Sequence, residues 1–289
     1  MSPSTSDATS PVPPVPPEKV SRAGRNLPAS IAVAIGLIAL IVVSLAFVKD
    51  LFVIVVAGAM LVALWELGRA LASNGTWLPA LPMGVGAVGM IVGAYYGGPD
   101  VLIVVMAGTV LTCILWRMPR GQDGFVRDVS ASIFCLVYLP FLASFVALLL
   151  AADDGVKRVL TFIFVTIASD IGGYVVGVLF GKHPMAPNIS PKKSWEGFAG
   201  SAVSCMTVGV ACVVGWLDGE WWVGIVLGAV AVVAATLGDL TESLIKRDLG
   251  IKDMSNILPG HGGIMDRLDS LLATVSVVWL VLHFLLPAV

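Results

Sequence analysis

Apolar residues run through this chain in blocks that are too long and too uniformly apolar to be the buried stripes of soluble helices. Blocks of roughly 17–25 residues, the length that carries a helix across a hydrocarbon core, lie near 27–48, 51–71, 78–97, 101–116, 130–151, 159–180, 197–216, 221–244 and 267–286. The pattern predicts an all-α polytopic integral membrane protein of about nine transmembrane helices. The 101–116 block is short and the Lys49-Asp50 break is tight, so boundaries there are the least sharply drawn.

The polar positions between blocks orient the array. With the N-terminus cytoplasmic and the C-terminus outside, every lysine and arginine except Lys49, Lys157 and Arg158 falls on the cytoplasmic side, as the positive-inside rule requires. The two polar loops richest in chemistry, 182–196 and 238–270, then share that face. Residues 1–26 are rich in Pro and Ser, include PVPPVPP, and are expected to be a disordered cytoplasmic tail. Residues 27–289 are expected to form one transmembrane catalytic domain, with its site in the C-terminal half, about 165–275. Composition agrees: 57% hydrophobic and 12% charged residues with a mean hydropathy of +0.95 exclude an ordinary soluble domain. The four cysteines lie inside apolar runs without CxxC or Cys/His spacing, which argues against disulfides and zinc.

Charge is concentrated from Gly238 to Ser270. Asp239, Glu242, Ser243 and Lys246 stand at i, i+3, i+4 and i+7 and share one helical face. Asp266, Asp269 and Ser270 repeat the spacing after the flexible turn Pro259-Gly260-His261-Gly262-Gly263. Carboxylates gathered in low dielectric repel one another unless a cation or proton lies between them. Asp239, Asp266 and Asp269 are therefore expected to hold a divalent metal, Mg²⁺ being the ion expected, with room for a second cation. The competing reading makes these acids helix caps and ion-pair partners of Lys246 and Arg267.

A second polar segment runs from Ala168 to Gly200. Asp170 sits within an apolar helix, where an acid needs a partner, a proton or a wet cavity, and Gly172, Gly173, Gly177 and Gly181 would thin the same helix for close approach. Ser190, Lys192, Lys193 and Ser194 precede a helix start, a ready phosphate site. Glu66, in WELGRAL, is balanced between a pair with Arg69 and a role in the catalytic cavity. Arg117, Arg120 and Arg127 read as ordinary positive-inside residues, and several Trp residues near span ends as interfacial anchors.

These residues carry a family resemblance. Ser243-Leu-Ile-Lys246-Arg247, then Lys252-Asp253, Pro259-Gly-His261-Gly262-Gly263 and Asp266-Arg267-Leu-Asp269 resemble the signature of phosphatidate cytidylyltransferases, the CDP-diacylglycerol synthases. The run from Ser190 to Gly197 is similar to the SPKKT-x-EG segment of the same family, with Ser194 where Thr is usual. The resemblance implies transfer of a cytidylyl group from CTP to phosphatidic acid with release of pyrophosphate. It implies Asp239, Asp266, Asp269 and Lys246 as catalytic residues. Asp170, Ser190, Lys192, Lys193, Ser194, Ser243, Arg247, Lys252, His261, Gly262, Gly263 and Arg267 are the residues expected to bind substrate. The expected setting is a bacterial cytoplasmic membrane with the site facing the cytoplasm, membrane lipid around it and no nucleic-acid partner; a homodimer is compatible with the chain. Two rivals are a CTP-dependent polyprenol or dolichol kinase, which would release CDP, and a non-enzymatic lipid transporter, which would be expected to show internal repeats that this sequence lacks.

Overall fold

The computed structural model describes residues 27–257 and 262–286. The tail expected over residues 1–26, His261 in the glycine-rich turn and the extreme C-terminus lie outside the described residues. The described chain is helical: α1 (Leu27–Phe47), α2 (Lys49–Ser73), α3 (Ala80–Arg117), α4 (Phe125–Leu136), α5 (Leu142–Ala151), α6 (Gly155–Phe180), α7 (Trp195–Trp216), α8 (Trp221–Asp248) and α9 (Asp269–Leu285). Six helical segments are long and apolar enough to cross a membrane, and α9 is a shorter apolar helix.

The α3 segment is two helical arms joined at Gly98, whose φ of 72° takes it out of helical conformation just before Pro99. A Cβ at Gly86 would lie 2.2 Å from Thr109, and one at Gly93 would lie 3.0 Å from Val101. In a straight helix Gly86 and Thr109 would be about 35 Å apart, so the arms fold back on each other as an αα-hairpin. The apolar blocks at 78–97 and 101–116 fall on these two arms. Helices α4 and α5 form one segment, interrupted by a π turn over Val137–Phe141 that contains Pro140, where the missing N–H breaks the helical ladder.

The all-α expectation needs one correction. Residues 184–194 form an antiparallel hairpin, β1 (Pro184–Ala186) paired with β2 (Ser190–Ser194). Its apolar content is too slight for a periodicity signal, and Pro187-Asn188 supplies the turn. The lysines expected just before a helix start do precede one, on a strand that runs directly into α7 at Trp195.

Small residues let α6 to α9 approach closely. A Cβ at Gly172 would lie 2.3 Å from Ser204 of α7, one at Gly209 would lie 2.4 Å from the Gly224 carbonyl of α8, and one at Gly238 would lie 2.4 Å from the Asp269 carbonyl of α9. This close approach is how helices associate where the surrounding lipid is as apolar as their side chains. It places Asp170, Asp239 and Asp269 around one space.

Two arginines brace the ends of the bundle, one of them, Arg117, read from the sequence as an ordinary positive-inside residue. Arg117 is buried against Asp128 at 2.9 Å and donates to the carbonyls of Gly121 and Asp123, closing the turn between α3 and α4. Arg158 pairs with Asp154 and donates to the carbonyls of Leu282 and Leu286, capping the end of α9. Arg120 lies 3.9 Å from the Trp77 ring centroid, a cation–π contact that gives Trp77 a partner within the protein. All four cysteines are buried and free.

Candidate active site

Two cavities meet between α6, α8 and the polar loops. The first, about 300 Å³, is bounded by Asp170 and Tyr174 of α6, Lys192 and Lys193 of β2, Ser194, and Asp239 of α8. The second, about 390 Å³, is bounded by Asp170, Asp239, Asp266, Arg267, Asp269 and the start of α9. Asp170 and Asp239 belong to both linings, so a lysine-bearing space and a carboxylate-rich space share one wall.

The strand hairpin sets the lysines. Lys193 forms an ion pair with Asp239. Ser194 is the N-cap of α7 and its Oγ accepts the Gly197 N–H at 3.1 Å, which satisfies one of the helix's orphan donors. Glu196 accepts the N–H groups of Lys182 and His183 and bonds the His183 ring at 2.5 Å. Arg247 donates to the Asn188 carbonyl at 2.5 Å. Arg247 thus ties the hairpin to α8 and is not part of either cavity lining.

Segments 250–257 and 262–268 are held by buried carboxylates. Lys246, on the extended last turn of α8, sits between Glu242 at 2.8 Å and Asp266 at 3.0 Å. Asp266 lies in a 3₁₀ turn, Met265–Arg267, ahead of α9 and not within it. Its Oδ2 also accepts the N–H groups of Gly263 at 2.8 Å and Met254 at 3.0 Å. Burial pushes the Asp266 carboxyl up, but those N–H donors and the Lys246 ammonium outweigh burial and hold its pKa below the ordinary carboxylate value. Asp269 opens α9, where its Oδ1 accepts the Ser270 N–H at 2.7 Å and its charge complements the helix dipole.

The structure therefore brings together Asp170, Lys192, Lys193, Ser194, Asp239, Asp266, Arg267 and Asp269 of the residues singled out in the sequence. Lys246, Gly262 and Gly263 serve the loop beside them. Gly262 has φ +80° with its Cβ position 2.9 Å from Asp266, a turn and a close approach that both call for glycine. Ser190, Ser243 and Lys252 line neither cavity. Sequence reasoning did not single out Tyr174 in the first cavity or Thr166 in the second; each lies one turn of α6 from Asp170, which was the available signal. Glu66, balanced in the sequence between Arg69 and the cavity, takes neither position. It accepts the Ser255 hydroxyl at 2.5 Å and the N–H groups of Ile264 at 3.0 Å and Met265 at 2.9 Å, while Arg69 lies over the Trp65 ring instead of pairing with it.

Hard carboxylate oxygens suit Mg²⁺, which usually takes one or two carboxylates, with substrate phosphates and waters completing its shell. Among the described residues no three acidic, His or Cys side chains close to metal-ligand spacing, and both oxygens of Asp266 already accept hydrogen bonds. Asp239, Asp266 and Asp269 all line the carboxylate-rich cavity, and Asp239 is paired with Lys193 while Asp269 accepts the Ser270 N–H, so each of the three would share or exchange a present contact on holding the ion.

The model of the cytidylyltransferase family matches residues 29–285. The chain is 43% identical over 284 residues to the phosphatidate cytidylyltransferase of Mycobacterium leprae (strain TN), covering 91% of this chain and 90% of that protein. It is 41% identical over 283 residues to the phosphatidate cytidylyltransferase of Mycobacterium tuberculosis (strain ATCC 25618 / H37Rv), covering 93% of this chain and 86% of that protein. The protein of that name from Helicobacter pylori (strain ATCC 700392 / 26695) is 31% identical over 194 residues, 67% of this chain and 70% of its own length.

Proposed function

The chain belongs to the cytidylyltransferase family, and from that premise we propose that it transfers the cytidylyl group of CTP to phosphatidic acid, giving CDP-diacylglycerol and pyrophosphate in phospholipid synthesis. The observation that carries this reading is the match along nearly the whole chain to proteins of that activity. The abutting lysine and carboxylate cavities supply a place for it.

A phosphate oxygen of phosphatidate attacks the α-phosphorus of CTP, a new P–O bond forms, and the bond from that phosphorus to the bridging oxygen of pyrophosphate breaks. The nucleophile is already anionic, so the chain needs to neutralise charge and align the reactants; it needs no dedicated base. Lys192 and Lys193 neutralise the triphosphate, and Arg267, facing the carboxylate cavity, meets the phosphatidate head group. Asp239 and Asp269 would hold Mg²⁺, which when bound supplies charge stabilisation at the transferring and leaving phosphates. Asp266, held by Lys246 and two N–H groups, positions the loop beneath them. An apolar groove bounded by Phe52, Ala143, Phe162, Leu271 and Leu272 shares Leu271 with the carboxylate cavity, which gives an acyl chain a path from the bilayer.

Purified protein given phosphatidic acid, Mg²⁺ and CTP is expected to pass label from the α-phosphate, and none from the γ-phosphate, into lipid. Label arriving from the γ position would identify the rival kinase. The proposed setting is a bacterial cytoplasmic membrane crossed about nine times, N-terminus inside and C-terminus outside, with both polar loops toward cytoplasmic CTP. Single cysteines placed in the 183–194 and 251–257 segments of the full chain are expected to react with an impermeant thiol reagent only from the cytoplasmic side. Reaction from opposite sides would remove the shared site.

A further inference from the structure

Glu66 stands about two turns before the C-terminal end of α2, far in sequence from every residue of the site, and is 1% exposed. Its carboxylate has no cationic partner among the described ion pairs; it is satisfied by three donors from one loop. Two are backbone N–H groups, those of Ile264 and Met265, at the start of the 3₁₀ turn that carries Asp266 and Arg267. Such N–H groups have no partner within their own turn, and burying them unpaired would be costly. The third donor is the Ser255 hydroxyl, which in turn accepts the Ile257 N–H at 3.2 Å. Glu66 therefore grips the loop on both sides of the 258–261 segment.

The fit is close. A Cβ at Gly263 would fall 2.7 Å from Glu66 Oε1, so glycine there lets the backbone settle onto the carboxylate. A carboxylate can accept from all three donors, whereas a carboxamide in the same place would turn an NH₂ toward at least one N–H or hydroxyl. Glu66 lines neither cavity, so its reach to substrate is through the loop.

Resting on the cytidylyl-transfer reading for its kinetic arm, we propose that Glu66 is a positioning residue: it fixes the depth and orientation of segments 255–257 and 262–265 and so places Asp266 and Arg267 against the carboxylate cavity. A small displacement of such a loop lowers turnover more than substrate affinity, because alignment is required in the transition state.

The test uses Glu66→Gln in the full-length protein, reconstituted in phosphatidylcholine vesicles containing phosphatidic acid, in wild-type and Asn256→Cys backgrounds. Asn256 is exposed in the gripped loop, and the four native cysteines are buried. Glu66→Gln is expected to lower kcat by roughly ten- to hundredfold with the KM for CTP changed by less than about threefold. An impermeant maleimide is expected to label Cys at position 256 several times faster than in the parent. Wild-type kcat overturns the proposal, and so does a kcat loss with an unchanged labelling rate. If Glu66→Gln does not accumulate in the membrane, Ser255→Ala, which removes one donor and leaves the carboxylate, decides: faster labelling supports the grip and an unchanged rate rejects it. The labelling comparison is independent of the reaction, so a parent protein that incorporates no α-phosphate label would refute the assigned activity while leaving the loop measurement intact.

Discussion

Asp239→Asn protein, normalised for insertion, is expected to lose at least about a hundredfold of its turnover at any practical Mg²⁺ concentration, the scale on which removal of a charge-stabilising group acts. Asp239 follows Gly238, where a Cβ would lie 2.4 Å from the Asp269 carbonyl of α9, and it stands in the wall between the two cavities while paired with Lys193. Losing its charge does two things together. It removes a carboxylate from the proposed Mg²⁺ donor set, and it leaves Lys193 without its anion when the triphosphate is absent. Helix packing should change little, since Asn has nearly the same shape and the side chain is partly exposed. Lys193→Ala gives the contrast: one charge-assisted contact is worth roughly 1.5–3 kcal/mol, so kcat/KM should fall by about one to two orders of magnitude while Lys192 continues to bind phosphate. Kinetics across a Mg²⁺ titration separate the two. An active Asp239→Asn variant with an unaltered Mg²⁺ requirement would take Asp239 out of the donor set.

What the sequence revealed depended on how far apart the interacting residues lie. The helices were legible because lipid imposes long apolar runs, and even the fold-back of α3 was visible as two blocks separated at Gly97-Gly98-Pro99. Asp239, Asp266 and Asp269 were legible as a group because they flank one loop at helical spacing. Their division of labour was not, since only three-dimensional placement gives Asp266 to Lys246 and to backbone N–H groups. The hairpin at 184–194 was hidden because a three-residue strand and a five-residue strand carry too little periodicity to compete with the helix that follows. Glu66 shows the limit most plainly. Its partners lie 189 to 199 residues away, and the local pattern offered Arg69 three residues on, a pairing that the ring of Trp65 pre-empts. Arg117 was obscured by the same effect: a positive-inside count treats it as a topological marker, while its buried bond to Asp128 makes it a brace.

The Lys246→Met variant is expected to lose both stability and activity, and the pattern of its rescue identifies the cause. Lys246 is the ammonium between Glu242, 1% exposed, and Asp266, 5% exposed. Among the described residues Oε1 of Glu242 is buried without a hydrogen-bond partner, so this side chain relies on Lys246 for compensation. Removing one member of a buried ion pair strands the other, a cost of about 3–5 kcal/mol, far above the value of an exposed pair. Thermal unfolding of Lys246→Met should therefore begin well below that of the parent, and CTP turnover should fall because Asp266 keeps only its two N–H donors. Replacing Glu242 as well removes one of the two stranded charges and leaves Asp266 on its N–H donors, and an apolar substitute for a buried pair is often close to neutral. The Glu242→Met/Lys246→Met protein should thus recover part of the lost stability without recovering turnover, since Asp266 still lacks its ammonium. A double-mutant cycle in thermal stability, read beside kcat, measures this coupling. Additive effects on stability would mean that the two residues do not act as a pair, and full activity in the double variant would show that Lys246 has no part in placing Asp266.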